Sequence, residues 1–303
     1  MSVPPVNIPY VKEFDFVHGR PDRLSPLVTR VICNNPGPFT FTGSGTYLVG
    51  TDRLAIIDPG PNDENHLAAL LAAADGREIS HILITHTHRD HCGGAVALKR
   101  ATGAAVLAWG AHPTQPDEAP PALDEGGDFS FAPDRMLADG ELVDGDGWQL
   151  RAIHTPGHIS NHLCFELPAE QALFTGDHIM GWATTVVAPP DGNMEDYMAS
   201  LDLLLGRKHS VYYPTHGAPI PAPAEFVRAV KDHRLARDRQ ILASVRAGHE
   251  GLMDIVADVY ADVDKRLHVA AALNVRAHLD RHVREGTVSV SGETMMALRY
   301  RPA

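Results

Sequence analysis

Between Thr85 and His91 the chain runs Thr-His-Thr-His-Arg-Asp-His, so three imidazoles and a carboxylate fall within six residues. The apolar run before it, His81-Ile82-Leu83-Ile84, has the branched and bounded character of a buried strand. The cluster therefore sits where a strand ends and a loop begins. His86 and His88 are two apart and project to one side of an extended segment, while Asp90 and His91 follow at the turn and can face a second point. Imidazole and carboxylate without thiolate are the ligands expected for zinc or a similar first-row metal. Four such groups exceed what one open catalytic site uses. That predicts two metal ions side by side, about 3.5–4 Å apart, which let water ionise near neutral pH and stabilise negative charge on a substrate.

Three later segments carry polar residues at the ends of strand-like runs: Thr155-Pro156-Gly157-His158, Thr175-Gly176-Asp177 and Pro214-Thr215-His216-Gly217. In each, Gly or Pro lets the backbone bend so that one ligand projects at the strand end. Each alone is an ordinary turn; together with residues 86–91 they make an accidental cluster hard to sustain. Asp58 stands at another strand tip, in Asp58-Pro59-Gly60. The residues by themselves make it either a cap for the helix that follows or a group supporting the site. His162, four residues past His158, can donate a proton to a leaving group or hold a ligand in place, and the second role is favoured because a ligating imidazole needs a partner for its other nitrogen. Asp90, on the open side, is the candidate proton shuttle. Cys92, beside His91, reads as a buried thiol.

The elements that must position these groups are mostly strands. Runs at 27–32, 46–49, 54–57, 81–84, 104–109, 148–154, 163–167, 172–175 and 210–213 have strand character, with helix-like segments at 66–74, 95–101 and 197–205. This pattern predicts two packed sheets with helices outside, and a doubly wound sheet is also compatible with it. Residues 110–135, rich in Pro, Asp and Glu, read as a surface insertion. From Pro221 the pattern turns helical: 226–247, 252–260 and 266–285, the last with Ala272, Val275, Leu279 and Val283 in one stripe and Gly286 as its stop. Runs at 287–290 and 295–298 then flank Ser291-Gly292-Glu293, a hairpin signal. Three helices and a hairpin have the layout of a winged-helix module or of a helical cap. The expected division is 1–221 and 222–303.

Charge is unevenly spread. Net charge is −12, with 13 Lys and Arg against 27 Asp and Glu before residue 225, and 13 against 11 from there on. An acidic body disfavours non-specific duplex binding, while the tail keeps a nucleic-acid role open. No apolar run approaches a membrane span. Met1 to Pro5 lacks the pattern of a secretory signal, and three widely spaced cysteines read as reduced thiols, so the expected compartment is the cytoplasm.

The ordered set of strand-tip motifs resembles the metallo-β-lactamase superfamily. The resemblance implies an αββα sandwich in which His86, His88 and His158 hold one zinc ion, Asp90, His91 and His216 a second, and Asp177 bridges them, with Asp58 supporting. Asn35-Pro36-Gly37-Pro38-Phe39-Thr40, Gly45-Thr46-Tyr47-Leu48-Val49-Gly50, Thr184-Thr185-Val186, and His233-Arg234 with Gln240-Ile241-Leu242 look like its lactamase-beta-2-like branch. That branch carries a C-terminal winged-helix-like domain, and an animal member cleaves single-stranded RNA. Gly45 stands where that member has Asn, and Thr215 replaces a Gly. The expectation is a dinuclear hydrolase acting as a phosphodiesterase on single-stranded RNA. The alternative is a hydrolase of small acyl substrates, thioesters or lactones, in the manner of glyoxalase II. The RNA expectation leans on Arg228, Lys231, Arg234, Arg237 and Arg239, which recur along one helix. Oligomeric state is left open.

Overall fold

The computed structural model describes residues 6–113 and 126–303. The first half of the chain builds one sheet from β1 (Asp22–Arg23), β2 (Val28–Ile32), β3 (Gly45–Val49) and β4 (Arg53–Ile57), then, past α1 (Glu64–Ala74), β5 (Glu78–Leu83). After α2 (Arg89–Cys92) and α3 (Ala95–Thr102) it is completed by β6 (Ala105–Ala108) and β7 (Arg135–Met136). The seven strands lie in chain order, antiparallel from β1 to β4 and parallel from β4 to β7. A second sheet contains β8 (Leu142–Asp144), β9 (Gln149–His154), β10 (Leu163–Leu167), β11 (Ala172–Gly176) and, after α4 (Met194–Leu205), β12 (Val211–Pro214). Its order is β12-β11-β10-β9-β8, antiparallel except for the β11–β12 pair that α4 connects.

Period-two alternation sorts the side chains into layers. Tyr47, Val49, Ala55 and Ile57 face Phe165, Phe174 and Leu150 between the two sheets. Their neighbours Leu48, Leu54 and Ile56 point the other way, under Leu70 of α1 and Leu98 of α3. On the far side, Cys164, Leu173 and Tyr212 are covered by Tyr197, Leu201 and Leu204 of α4. Strands covered on both faces need continuous apolar runs, which is why these segments were legible as strands. The result is an αββα sandwich.

The rest of the chain forms α5 (Pro223–Arg246), α6 (Leu252–Val259), α7 (His268–Arg284), β13 (Val288–Ser291) and β14 (Arg299–Pro302). The first turns of α5, with Phe226, Val227 and Val230, pack under the second sheet. Its last turns, with Ile241 and Val245, join Ile255, Val256, Ala272, Val275, Leu279 and Tyr300 in a separate core. One 24-residue helix thus belongs to both cores.

Two expectations are corrected. The second strand of the hairpin is Arg299–Pro302, with Ser291 opposite Arg299 and Val288 opposite Pro302; Met295–Ala297 forms a 3₁₀ turn. The alternation Arg299-Tyr300-Arg301 turns Tyr300 into the core, whereas the run 295–298 has no alternation to fix a register. The insertion at 110–135 is only partly described, since 114–125 lie outside the described residues. Its last stretch is not simply surface: Phe131 is buried, and the backbone at 126–128 bonds back to the loop of residues 86–91 through Gly126 O with Arg89 N and Asp128 N with Thr87 O.

Candidate metal centre

The strand-tip motifs meet at one edge of the sandwich because β5, β11 and β12 all end there. His86 and His88 leave β5, Asp90 and His91 occupy the one-turn α2, His158 sits in the β9–β10 loop, Asp177 follows β11, and His216 follows β12. Three groups of ligand atoms lie within 4.8 Å of one another: His86, His88 and His158; His86, His91 and Asp177; and Asp90, His91 and His216. His88 Nδ1 is 2.9 Å from His86 Nε2 and 3.1 Å from His158 Nε2. On the other side Asp90 Oδ2 is 3.1 Å from His216 Nε2 and 3.4 Å from His91 Nε2. Asp177 lies between: Oδ1 is 3.4 Å from His216 Nε2 and 3.5 Å from His91 Nε2, and Oδ2 is 3.9 Å from His158 Nε2.

The far nitrogen of three imidazoles is spoken for. His158 Nδ1 donates to the Val186 carbonyl at 2.6 Å, His91 Nδ1 to Asp58 Oδ2 at 2.8 Å, and His216 Nδ1 to the Gly43 carbonyl at 3.3 Å. Each bond leaves an Nε2 lone pair aimed at the centre, the tautomer a metal needs. Electrostatics agree. Burial, reinforced by the neighbouring imidazoles, holds His86 well below its usual value. Burial alone would raise the carboxyl of Asp90, but His91 and His216 hold it at about 2. Burial would lower His91, yet Asp90, Asp177 and Asp58 hold it well above its usual value, so these carboxylates favour a positive charge at its ring, a place a metal ion would take. The site therefore gathers lone pairs and ionised carboxylates and calls for positive charge at its middle. His91 Nε2 and Asp177 Oδ1 are buried there without a hydrogen-bond partner among the described residues. The donor set fits metal ions.

Comparison with known proteins gives the family. The profile of the metallo-β-lactamase superfamily matches residues 40–216, and that of the beta-lactamase associated winged helix domain matches 252–294. The chain belongs to the metallo-β-lactamase superfamily. A "Beta-lactamase-like protein 2 homolog" from Caenorhabditis elegans is 36% identical over 274 residues, covering 88% of each chain. An "Atrochrysone carboxyl ACP thioesterase" from Aspergillus chevalieri is 34% identical over 232 residues, covering 75% of this chain and 68% of the relative. The fold resembles that of a Burkholderia ambifaria beta-lactamase domain protein, with a TM-score of 0.78 and 18% identity over 98% of this chain and 97% of that one. As a member of the superfamily, the protein is a hydrolase with a C-terminal winged-helix domain.

The candidate ligands rest on residues that the motifs did not single out. Each ligand segment begins with a buried threonine: Thr85, Thr155, Thr175 and Thr215. Asp58 accepts from Thr85 N at 2.8 Å, Thr85 Oγ1 at 2.7 Å and Thr215 Oγ1 at 3.1 Å, as well as from His91. Asp63 caps α1, so the cap is a different residue and Asp58 is turned to the ligands. His162 is fully buried behind them. Its Nδ1 is 2.9 Å from Thr155 Oγ1 and its Nε2 accepts from Asp177 N at 3.2 Å, so it orients the Asp177 backbone and has no nitrogen left for a leaving group. Cys92 is buried, and burial pushes its thiol up. The repeated threonine one to three residues before a ligand was the signal to follow.

The winged-helix domain also reaches the centre. Asn274 Oδ1 on α7 accepts from Val187 N at 3.0 Å and from Arg234 NH1 at 3.2 Å, and Arg234 NH2 donates to the Thr185 carbonyl at 2.5 Å. These bonds brace residues 185–187, whose middle carbonyl holds His158. They also revise the expected RNA surface. Arg234 is buried and lies over the Tyr197 ring. Arg237 donates to the Val259 carbonyl and lies over Tyr260, and Lys231 pairs with Asp202. Of those five cations, Arg234 and Arg237 are therefore spent inside the protein and Lys231 in a surface ion pair, leaving Arg228 and Arg239 exposed. No helix among the described residues is long and apolar enough to cross a membrane.

Proposed function

We propose that the protein hydrolyses acyl thioesters at a centre of two zinc ions. The observation that carries this reading is a cleft of about 660 Å³ whose wall includes Val186, the residue that holds His158, and Trp182, packed against Gly217 beside His216. Its lining of Phe39, Phe41, Trp182, Tyr260 and Leu267 suits an apolar acyl group, and Arg234 and Arg237 on the same wall already donate to the Thr185 and Val259 carbonyls. The thioesterase names of several relatives support the same chemistry.

His86, His88 and His158 would hold one ion, Asp90, His91 and His216 the other, with Asp177 touching both. Bound metal supplies Lewis acidity, which ionises water near neutral pH and offsets charge on the carbonyl oxygen. The chain's residues fix the geometry: Asp58, anchored by two threonines, sets the His91 ring, and the Val186 and Gly43 carbonyls set those of His158 and His216. In the reaction a C–O bond to water forms, the C–S bond breaks, and a carboxylic acid and a thiol leave. A thiolate, with a pKa of about 8.5 for a cysteine-like thiol, departs without prior protonation. Asp90, with Oδ2 between His216 and Ser44 Oγ at 3.3 Å, then serves to hold metal rather than to shuttle a proton.

The test uses protein purified without chelator. Metal analysis should show about two equivalents, and acyl thioesters should turn over and stop doing so on chelation. Cleavage of a single-stranded RNA oligonucleotide with thioesters left intact would return the reading to a phosphodiesterase, and lactone turnover alone would shift it within the acyl class.

A further inference from the structure

Three stretches that set this sequence's branch apart, 35–40, 184–186 and 233–234, are distant in the chain, yet all line the cleft: Pro38 and Phe39 from the first, Thr184 and Val186 from the second, His233 and Arg234 from the third. The catalytic sandwich supplies one wall. The other comes from the winged-helix domain, where Ala270 and Ala271 on α7 stand with Tyr260 and Leu267. The two alanines keep the space open, since any larger side chain on that face enters it.

One wall of the cleft is a flat aromatic face. Phe41 and Trp182 stack with centroids 4.7 Å apart and planes 8° from parallel. Phe41 is held at φ 56°, a conformation a bulky residue seldom adopts, and such strain persists where the surroundings over-determine it and a site has a use for it. The wall is also not wholly apolar. Trp182 Nε1, His233 Nδ1 and Arg234 Nε are buried without a hydrogen-bond partner among the described residues. Each of the three belongs to a residue of the cleft wall.

We propose that this cleft is the acyl pocket, that it takes a planar, apolar acyl group, and that the winged-helix domain selects the acyl group through Ala270 and Ala271. The proposal rests on the thioesterase reading for its chemistry and on the cavity alone for its ligand. The domain that a sequence would assign to nucleic acid is here half of a small-molecule site.

Two measurements test it. The first compares kcat/KM for the 2-naphthoyl and acetyl thioesters of N-acetylcysteamine. Ala270→Phe should lower the ratio of the two by about tenfold or more, the scale on which an altered apolar pocket discriminates. The second follows binding of 2-naphthoic acid to the metal-loaded protein by tryptophan quenching, with Trp182→Phe assigning the signal. Its Kd should rise by a similar factor in Ala270→Phe. Leu267→Trp, at the partly exposed rim, should act in the same direction and carries less risk to the core. Thioesters cleaved with an unchanged ratio and unchanged naphthoate binding would overturn the pocket while leaving the thioesterase. No thioester turnover, with naphthoate binding lost in Ala270→Phe, would overturn the thioesterase and leave the pocket.

Discussion

Two clusters of buried histidine and carboxylate among the described residues are built on opposite principles. At the sandwich edge, seven side chains from four segments converge on one another, and His91 Nε2 and Asp177 Oδ1 are left without partners among the described residues. In the winged-helix domain, Asp238 of α5 takes His278 Nδ1 at 3.0 Å, His282 Nε2 at 3.1 Å and Arg281 NH2 at 3.3 Å. His278 and His282 are four apart on α7, a spacing that suits a metal pair. Here the donors point at one carboxylate instead. Among the described residues, that cluster is not one of those whose ligand atoms close to within 4.8 Å. Histidine count and burial do not separate the two; the direction of the lone pairs does. Strand tips aim ligands at a shared point outside the sheet, whereas two packed helices turn theirs onto each other.

The sharpest way to break the comparison is to remove the central carboxylate of each cluster. Asp177→Ala should lower kcat/KM for a thioester by at least about 10²–10³-fold, the scale of losing a group that stabilises the transition state, with metal content reduced and the circular dichroism spectrum retained. Near-normal turnover would remove Asp177 from its bridging position. Asp238→Asn should act the other way round: it strips charged partners from a buried network and should cost about 3 kcal/mol of stability, read as a lower urea midpoint, with metal content intact.

The pH dependence adds a sign. Burial alone would raise Asp238, but hydrogen bonds from His278 and His282, with the Arg281 charge, hold it well below the usual carboxylate range. Its folded value is thus depressed. The stability it contributes is complete above the unfolded value of about 3.9 and is lost as pH falls through the folded value. Below pH 4 the wild type should lose stability more steeply than Asp238→Asn.

Smaller effects test the link between the two regions. Asn274→Ala removes the acceptor that ties Val187 and Arg234 together, two residues' reach from His158. Metal affinity should fall by about tenfold, as when a ligand's supporting partner is lost, with kcat falling alongside. Unchanged affinity would mean that the sandwich sets His158 by itself. Last, charge reversal at the exposed Arg228 and Arg239 should change thioester kcat/KM by less than about twofold, the effect of surface charges away from a site.

Several elements were plain in the sequence for physical reasons. Strands covered on both faces must be continuously apolar, so β3, β4, β10 and β11 stood out. Ligands at strand tips need bending residues beside them, so His158, Asp177 and His216 came with Gly and Pro attached. The hairpin's second strand was misplaced by four residues because its apolar run lies in a turn, while the strand itself alternates charged and aromatic residues.

What one residue type at one spacing demands, the sequence determined by itself: metal-binding chemistry, ligands placed at strand tips, and a helical module after Pro221. What depends on two distant segments choosing each other was decided only by the tertiary structure. Arg234 reads as a surface cation until Asn274 and Thr185 take its donors inside. His162 offers either a proton or a hold on a ligand until Asp177 N claims its free nitrogen and leaves only the second role. The cleft exists in neither domain's sequence, because its volume is the gap left where Ala270 and Ala271 face Phe41 and Trp182. Local pattern encodes what a residue can do; packing decides which partner is present for it to do it with.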